Sequence, residues 1–123
     1  MAMKLGVIGS NFVSDWLCEA VQATEGFTLT AMYSRKQETG EAFAAKYGIP
    51  TVYTDMEAFL SSDLDAVYIA SPNFCHAPQA MDALRHGKHV LCEKPIATCL
   101  EEWQAMQQAA FENGRILLEA MGP

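Results

Sequence analysis

Six short apolar runs recur along this chain, and a stretch of helical periodicity lies between nearly every pair. "KLGVIG" (4–9), "FTLTAMYS" (27–34), "TVY" (51–53), "DAVYIAS" (65–71), "HVLCE" (89–93) and "RILLEA" (115–120) read as strands. Helices are predicted over 12–24, over 36–48 with Gly48 as the closing residue, and over 76–86 up to Gly87. Pro78 is tolerated because it falls in the first turn of its helix. Thr54 to Glu57 and Thr98 to Glu101 fit capping boxes opening two more helices. The helix after Thr98 has Leu100, Trp103, Gln107, Ala110 and Phe111 near one face and ends at Asn113-Gly114.

The runs are apolar on both sides of each strand, as expected when helices cover both faces of a sheet. Crossovers of this length force parallel pairing, and right-handed connections then give an open, doubly wound α/β sheet. The expected strand order is 3-2-1-4-5-6, a Rossmann-type arrangement with helices on both faces. The 123 residues suffice for one domain with a real core. Residues 1–123 are therefore read as a single dinucleotide-binding domain, without repeats, linkers or low-complexity tracts.

Charge and composition narrow the partners. The net charge of −7 repels a phosphate backbone, which argues against nucleic acid but leaves room for a local basic spot. No apolar run approaches the ~18 residues that cross a bilayer, so no membrane partner is expected. The start, "MAMKLGVIGS", lacks the shape of a secretory signal. The four cysteines, at 18, 75, 92 and 99, contain no C-x-x-C pair, which points to reduced thiols and a cytoplasmic location. Cys75, His76, Cys92 and Cys99 lack the local spacings of zinc ligands, and no metal is expected.

In a doubly wound sheet, ligands sit beyond the C-terminal strand ends where the strand order reverses. The turn after the first strand lies there and reads Gly9-Ser10-Asn11-Phe12-Val13-Ser14. Against the fingerprint G-x-G-x-x-G, Gly9 is kept, Asn11 replaces the second glycine and Ser14 the third. Asn visits left-handed backbone angles more readily than other non-glycine residues. Ser14 is small enough for close helix–strand packing, and the helix amides would face a pyrophosphate. Asp15 is awkward beside an anion but suits the helix dipole.

The end of the second strand reads "YSRKQE". Selection of NAD normally uses Asp or Glu here to bind the ribose hydroxyls. Ser34 instead offers a hydroxyl, and Arg35 and Lys36 offer cations that can bind a 2′-phosphate. Three of the eight basic residues, at 35, 36 and 46, fall in this region of an acidic chain. NADP is therefore the preferred cofactor, with NAD as the other possibility.

The fourth and fifth strands end "IASPNFCH" and "CEKP" on the same rim. With "GVIG" in the first strand and "SR" after the second, these motifs occur in an order and spacing that resemble the N-terminal domain of the Gfo/Idh/MocA family of oxidoreductases. The resemblance covers nearly the whole chain. "SPN-x-x-H" with "EKP" carries most of its specificity, whereas Asn11 departs from the family's usual glycine. The resemblance implies that Lys94 lies beside the nicotinamide and contacts the reacting hydroxyl. It implies that Glu93 helps hold the nicotinamide ribose, and that Ser71, Pro72, Asn73 and His76 line the cofactor. It also implies a cis peptide before Pro95.

General chemistry agrees on Lys94, because hydride transfer from an alcohol needs a group to take the hydroxyl proton. A free lysine titrates near ~10.4, and work near neutrality asks for ~7–8, a difference that desolvation and a cationic nicotinamide could supply. Glu93 would oppose that change if it touched Lys94, but in extended backbone the two side chains diverge.

By the same resemblance, the substrate pocket belongs to a larger second domain absent from this chain. The expected function is the nucleotide-binding half of an NAD(P)-dependent oxidoreductase acting on a sugar, polyol or diol. Alone it is expected to be inactive and, with an apolar face uncovered, to self-associate as a homo-oligomer. The alternative is a non-catalytic NADP-binding sensor or regulatory protein of the same fold.

Overall fold

The computed structural model describes residues 2–10 and 12–120. Six parallel strands form one sheet in the order β3-β2-β1-β4-β5-β6. The strands are β1 (Met3–Ile8), β2 (Phe27–Tyr33), β3 (Thr51–Tyr53), β4 (Ala66–Ile69), β5 (His89–Glu93) and β6 (Leu117–Ala120). Between them run α1 (Phe12–Gln22), α2 (Gln37–Tyr47), α3 (Met56–Leu60), α4 (His76–Arg85) and α5 (Leu100–Glu112), with a single 3-10 turn at Asn73–Cys75 before α4. The doubly wound sheet and its strand order are those expected from the alternation of apolar runs and crossovers.

The helices divide between the two faces. Cys18 and Val21 of α1 and Phe43 and Ala44 of α2 pack against Leu5, Val7, Met32 and Tyr68. On the other face α3, α4 and α5 bury Phe59, Leu60, Leu84 and Met106 against Ile8, Val67, Ile69 and Cys92. Strand side chains alternate between these cores, so β1 and β4, at the centre, are apolar on both sides. At roughly 25 cal/mol per Å², each fully buried Leu, Ile or Phe contributes about 2–3 kcal/mol of this burial.

Three local expectations are corrected. The N-cap of α3 is Asp55, whose carboxylate accepts from the Ala58 N–H at 3.1 Å, and not Thr54. At α5 the carboxylate returning to Thr98 is that of Glu102, not Glu101; it accepts from both the Thr98 N–H and hydroxyl. The buried side of α5 is Met106, Ala109 and Ala110, whereas Leu100 is 64% and Phe111 84% exposed. Ala77, Ala80 and Ala83 of α4 share one buried cluster with Ala109 and Ala110 of α5. Small residues let two helices approach closely. Gly48 closes α2 in the left-handed conformation, φ 66°, as its position suggests.

Candidate nucleotide-binding and active site

Parallel strands present all their C-terminal ends along one edge, and the sequence places its candidate residues there. The order reverses between β1 and β4, whose ends are tied by the Ala70 N–H donating to the Ile8 carbonyl at 2.8 Å. Gly9 follows β1 with φ 105°, and a Cβ there would lie 2.7 Å from the Ala70 carbonyl oxygen. Only glycine fits this turn, because both the backbone angle and the neighbouring strand exclude a side chain. Ser10 is exposed beside it. Asn11 lies outside the described residues. Phe12 and Val13 open α1, whose N-terminal amides point at the same edge.

The turn from β2 to α2 is held from within. Ser34 is 8% exposed, and its hydroxyl donates to the Lys36 carbonyl at 2.9 Å. Arg35 and Lys36 are exposed on its outer side. Beneath the turn, Gly40 of α2 sits so close that a Cβ would lie 2.8 Å from Ser34 Cβ and 2.6 Å from Val52 Cγ1. Lys46, grouped with these cations on sequence grounds, is spent elsewhere. It lies in the last turn of α2 and donates to the Asp15 carboxylate at 2.7 Å, as does the Tyr47 hydroxyl. The Lys46 hydrogen bond, reinforced by that of Tyr47, holds the Asp15 carboxyl below the usual carboxylate range. The negative charge at the start of α1 is thus already neutralised by protein.

Beyond β4 the chain makes a polar turn. Ser71 donates to the Gln79 side chain, and Pro72, Asn73 and Phe74 are exposed. His76 is 1% exposed, with Nδ1 2.8 Å from the Pro95 carbonyl and Nε2 2.8 Å from that of Ser71. Carbonyls only accept, so the ring bridges the turns after β4 and β5 with one N–H when neutral and two when cationic. The Lys94–Pro95 peptide is cis. The backbone just past it is fixed by β6, where Glu119 accepts from the Ile96 N–H at 3.0 Å.

Glu93 is the last residue of β5 and accepts from the Tyr68 hydroxyl at 2.7 Å. Lys94 follows, exposed, and no ion pair joins it to Glu93 among the described residues. Lys4, Lys46 and Lys88 all donate to protein oxygens, as does Arg115. Among the described residues, Arg35, Lys36 and Lys94 have no such side-chain partner, and Arg85 at the far end of α4 is the other such cation. β2 and β5 are three strand intervals apart, so their ends are about 14 Å apart at ~4.8 Å per interval. A surface depression of about 570 Å³ between α2 and β3 includes none of these residues in its walls. Sequence reasoning did not single out Tyr68, Gln79, Glu119 or Gly40.

A family model described as an oxidoreductase family with an NAD-binding Rossmann fold, Gfo/Idh/MocA, matches residues 3–121. The chain belongs to this family. Among its Gfo/Idh/MocA relatives, the NADP(+)-dependent scyllo-inositol 2-dehydrogenase IolU of Bacillus subtilis is 45% identical over 97% of this chain and 37% of its own length. An NADP(+)-dependent D-xylose 1-dehydrogenase of Haloferax volcanii is 39% identical over 96% of this chain and 37% of its own length. Among solved structures, KijD10, a 3-ketoreductase from Actinomadura kijaniata in complex with NADP and TDP-benzene, superposes with a TM-score of 0.91 at 33% identity. That superposition covers 97% of this chain and 37% of the other. The chain therefore spans little more than a third of the length of these Gfo/Idh/MocA proteins.

Proposed function

We propose that this chain is the nucleotide-binding part of an NADP-dependent oxidoreductase that moves hydride between nicotinamide and a hydroxyl or carbonyl carbon of a sugar, polyol or diol. The observation that carries the reading is the distribution of unpartnered cations. Arg35 and Lys36 stand at the end of β2 and Lys94 at the end of β5, while most other cations are engaged. The glycine-only turn at Gly9 fits the close approach of a pyrophosphate. The NADP-dependent inositol and xylose dehydrogenases among the relatives support the same cofactor and substrate class.

In this reading Gly9, Ser10, Asn11, Phe12 and Val13 hold the pyrophosphate. Ser34 shapes the turn from which Arg35 and Lys36 take the 2′-phosphate. Ser71, Pro72 and Asn73 form the wall beside the nicotinamide, and His76 supports that wall through the Ser71 and Pro95 carbonyls. Nicotinamide, when bound, supplies the hydride acceptor or donor. Glu93 takes a ribose hydroxyl. Lys94 binds the substrate oxygen and accepts its proton on oxidation, or returns it on reduction. The four free thiols support a cytoplasmic location.

Titration with NADP and NAD, followed by the fluorescence of Trp16 and Trp103, tests the reading. NADP is expected to bind more tightly, and Arg35→Ala to cut the preference at least tenfold, the worth of one charge-assisted hydrogen bond. Equal affinity for the two nucleotides, or binding of neither, overturns it. The chain by itself is expected to turn over no polyol, and dehydrogenase activity from the purified chain would refute that.

A further inference from the structure

Tyr68 occupies an unusual position for a residue with a polar tip. It lies in β4, paired with Val7 of β1 on one side and Leu91 of β5 on the other, and is 1% exposed. Strands on both flanks fix its backbone. Glu93 is two residues beyond Leu91 and so projects from the same sheet face as Leu91. The phenol spans this diagonal and donates to Glu93 Oε2 at 2.7 Å.

Packing alone calls for a phenylalanine here. The hydroxyl makes a single described contact, and its acceptor is a residue of the proposed site. Burial, and then the carboxylate of Glu93, push the phenol well above its usual range, so it remains a donor across the working pH range. Glu93 is half-buried, and its second carboxylate oxygen has no partner among the described residues. One oxygen is thus held by protein while the other is left for a ligand hydroxyl.

We infer that Tyr68 is the positioning residue for Glu93: its hydroxyl fixes the carboxylate so that one oxygen meets the nicotinamide ribose. This rests on the reading above, in which Glu93 binds that ribose. Without the phenol, the half-buried carboxylate loses its described partner and is free to rotate away from the ribose.

The test uses the full chain and two probes, NADP and adenosine 2′,5′-bisphosphate, which lacks the nicotinamide ribose. Tyr68→Phe is expected to raise the Kd for NADP about tenfold, equivalent to about 1.4 kcal/mol, and to leave bisphosphate binding unchanged. In a Glu93→Ala background the same substitution should have no further effect. Glu93→Asp keeps the charge but draws the carboxylate back from Tyr68, and should weaken NADP similarly while sparing the bisphosphate. Wild-type NADP affinity in Tyr68→Phe or in Glu93→Asp overturns the inference. So do equal losses for both probes, or effects of Tyr68→Phe and Glu93→Ala that multiply. If the unmodified chain binds neither probe, the parent reading is what fails.

Discussion

Burial sorts the four cysteines into two kinds. Cys18 and Cys92 are 0% exposed, and desolvation pushes their thiols up to about 11 and about 12. Cys99 is exposed and Cys75 half-buried. An alkylating reagent near pH 8 should label Cys99 first and Cys75 next, leaving Cys18 and Cys92 unmodified until the protein unfolds. Peptide mapping checks this, and early labelling of Cys92 would contradict it. Asp15 gives a pH signature. Its carboxyl is lowered in the folded state, so its contribution is present above the unfolded value of ~3.9 and disappears as pH falls through the lower folded one. Asp15→Asn should cost about 1 kcal/mol or less near neutrality, because Lys46 is largely exposed, and the difference should vanish in strong acid. Urea denaturation at several pH values measures it. At this scale, the residues readable from sequence were those at strand ends, since chain order alone brings Arg35 and Lys94 to one edge. Tyr68 was not readable because its role depends on the β4–β5 register, which sets which side chain meets Glu93. Lys46 was counted with Arg35 and Lys36 by nearness in sequence alone, as nothing in the chain order brings Asp15 beside the end of α2.

Helices were readable in number and place but less so in detail. Their starts are ambiguous wherever two capping residues adjoin. Thr54 and Asp55 both qualify, and the carboxylate, the stronger acceptor, takes the amide. Asp55→Ala should therefore destabilise the protein by about 1 kcal/mol, and Thr54→Ala by much less, by thermal or chemical unfolding. The face of α5 was misread because hydrophobicity ranks Phe111 above Ala109, whereas close helix approach ranks them the other way. Gly40 illustrates the same contest between propensity and packing. Alanine is about 1 kcal/mol better than glycine inside a helix, but here its methyl would collide with Val52 and Ser34. Overpacking of this kind costs about 1–3 kcal/mol, so Gly40→Ala should be net destabilising. It should also weaken NADP more than NAD, because the displaced Ser34 carries the turn that presents Arg35. A stabilised Gly40→Ala variant would show that α2 can shift without cost.

For the whole molecule, the parallel order was readable because every strand is followed by a crossover, and parallel strands need one. The sequence led us to expect an uncovered apolar face but did not place it on the sheet. On the side occupied by α1 and α2, Leu118 of β6 is 57% exposed, and Ile116, just before that strand, is 58% exposed. Sedimentation velocity over a wide concentration range should show self-association, and Leu118→Lys should reduce it. A concentration-independent monomer would count against this. The edges also differ from the centre. β1 and β4 have a strand on each side, while β3 and β6 have one neighbour each, β2 and β5. Local opening therefore begins at the margins. Deuterium should enter the amides of β3 and β6 well before those of β1 and β4. Because Glu119 of β6 anchors Ile96, each fraying of that outer strand would also loosen the loop that carries Lys94.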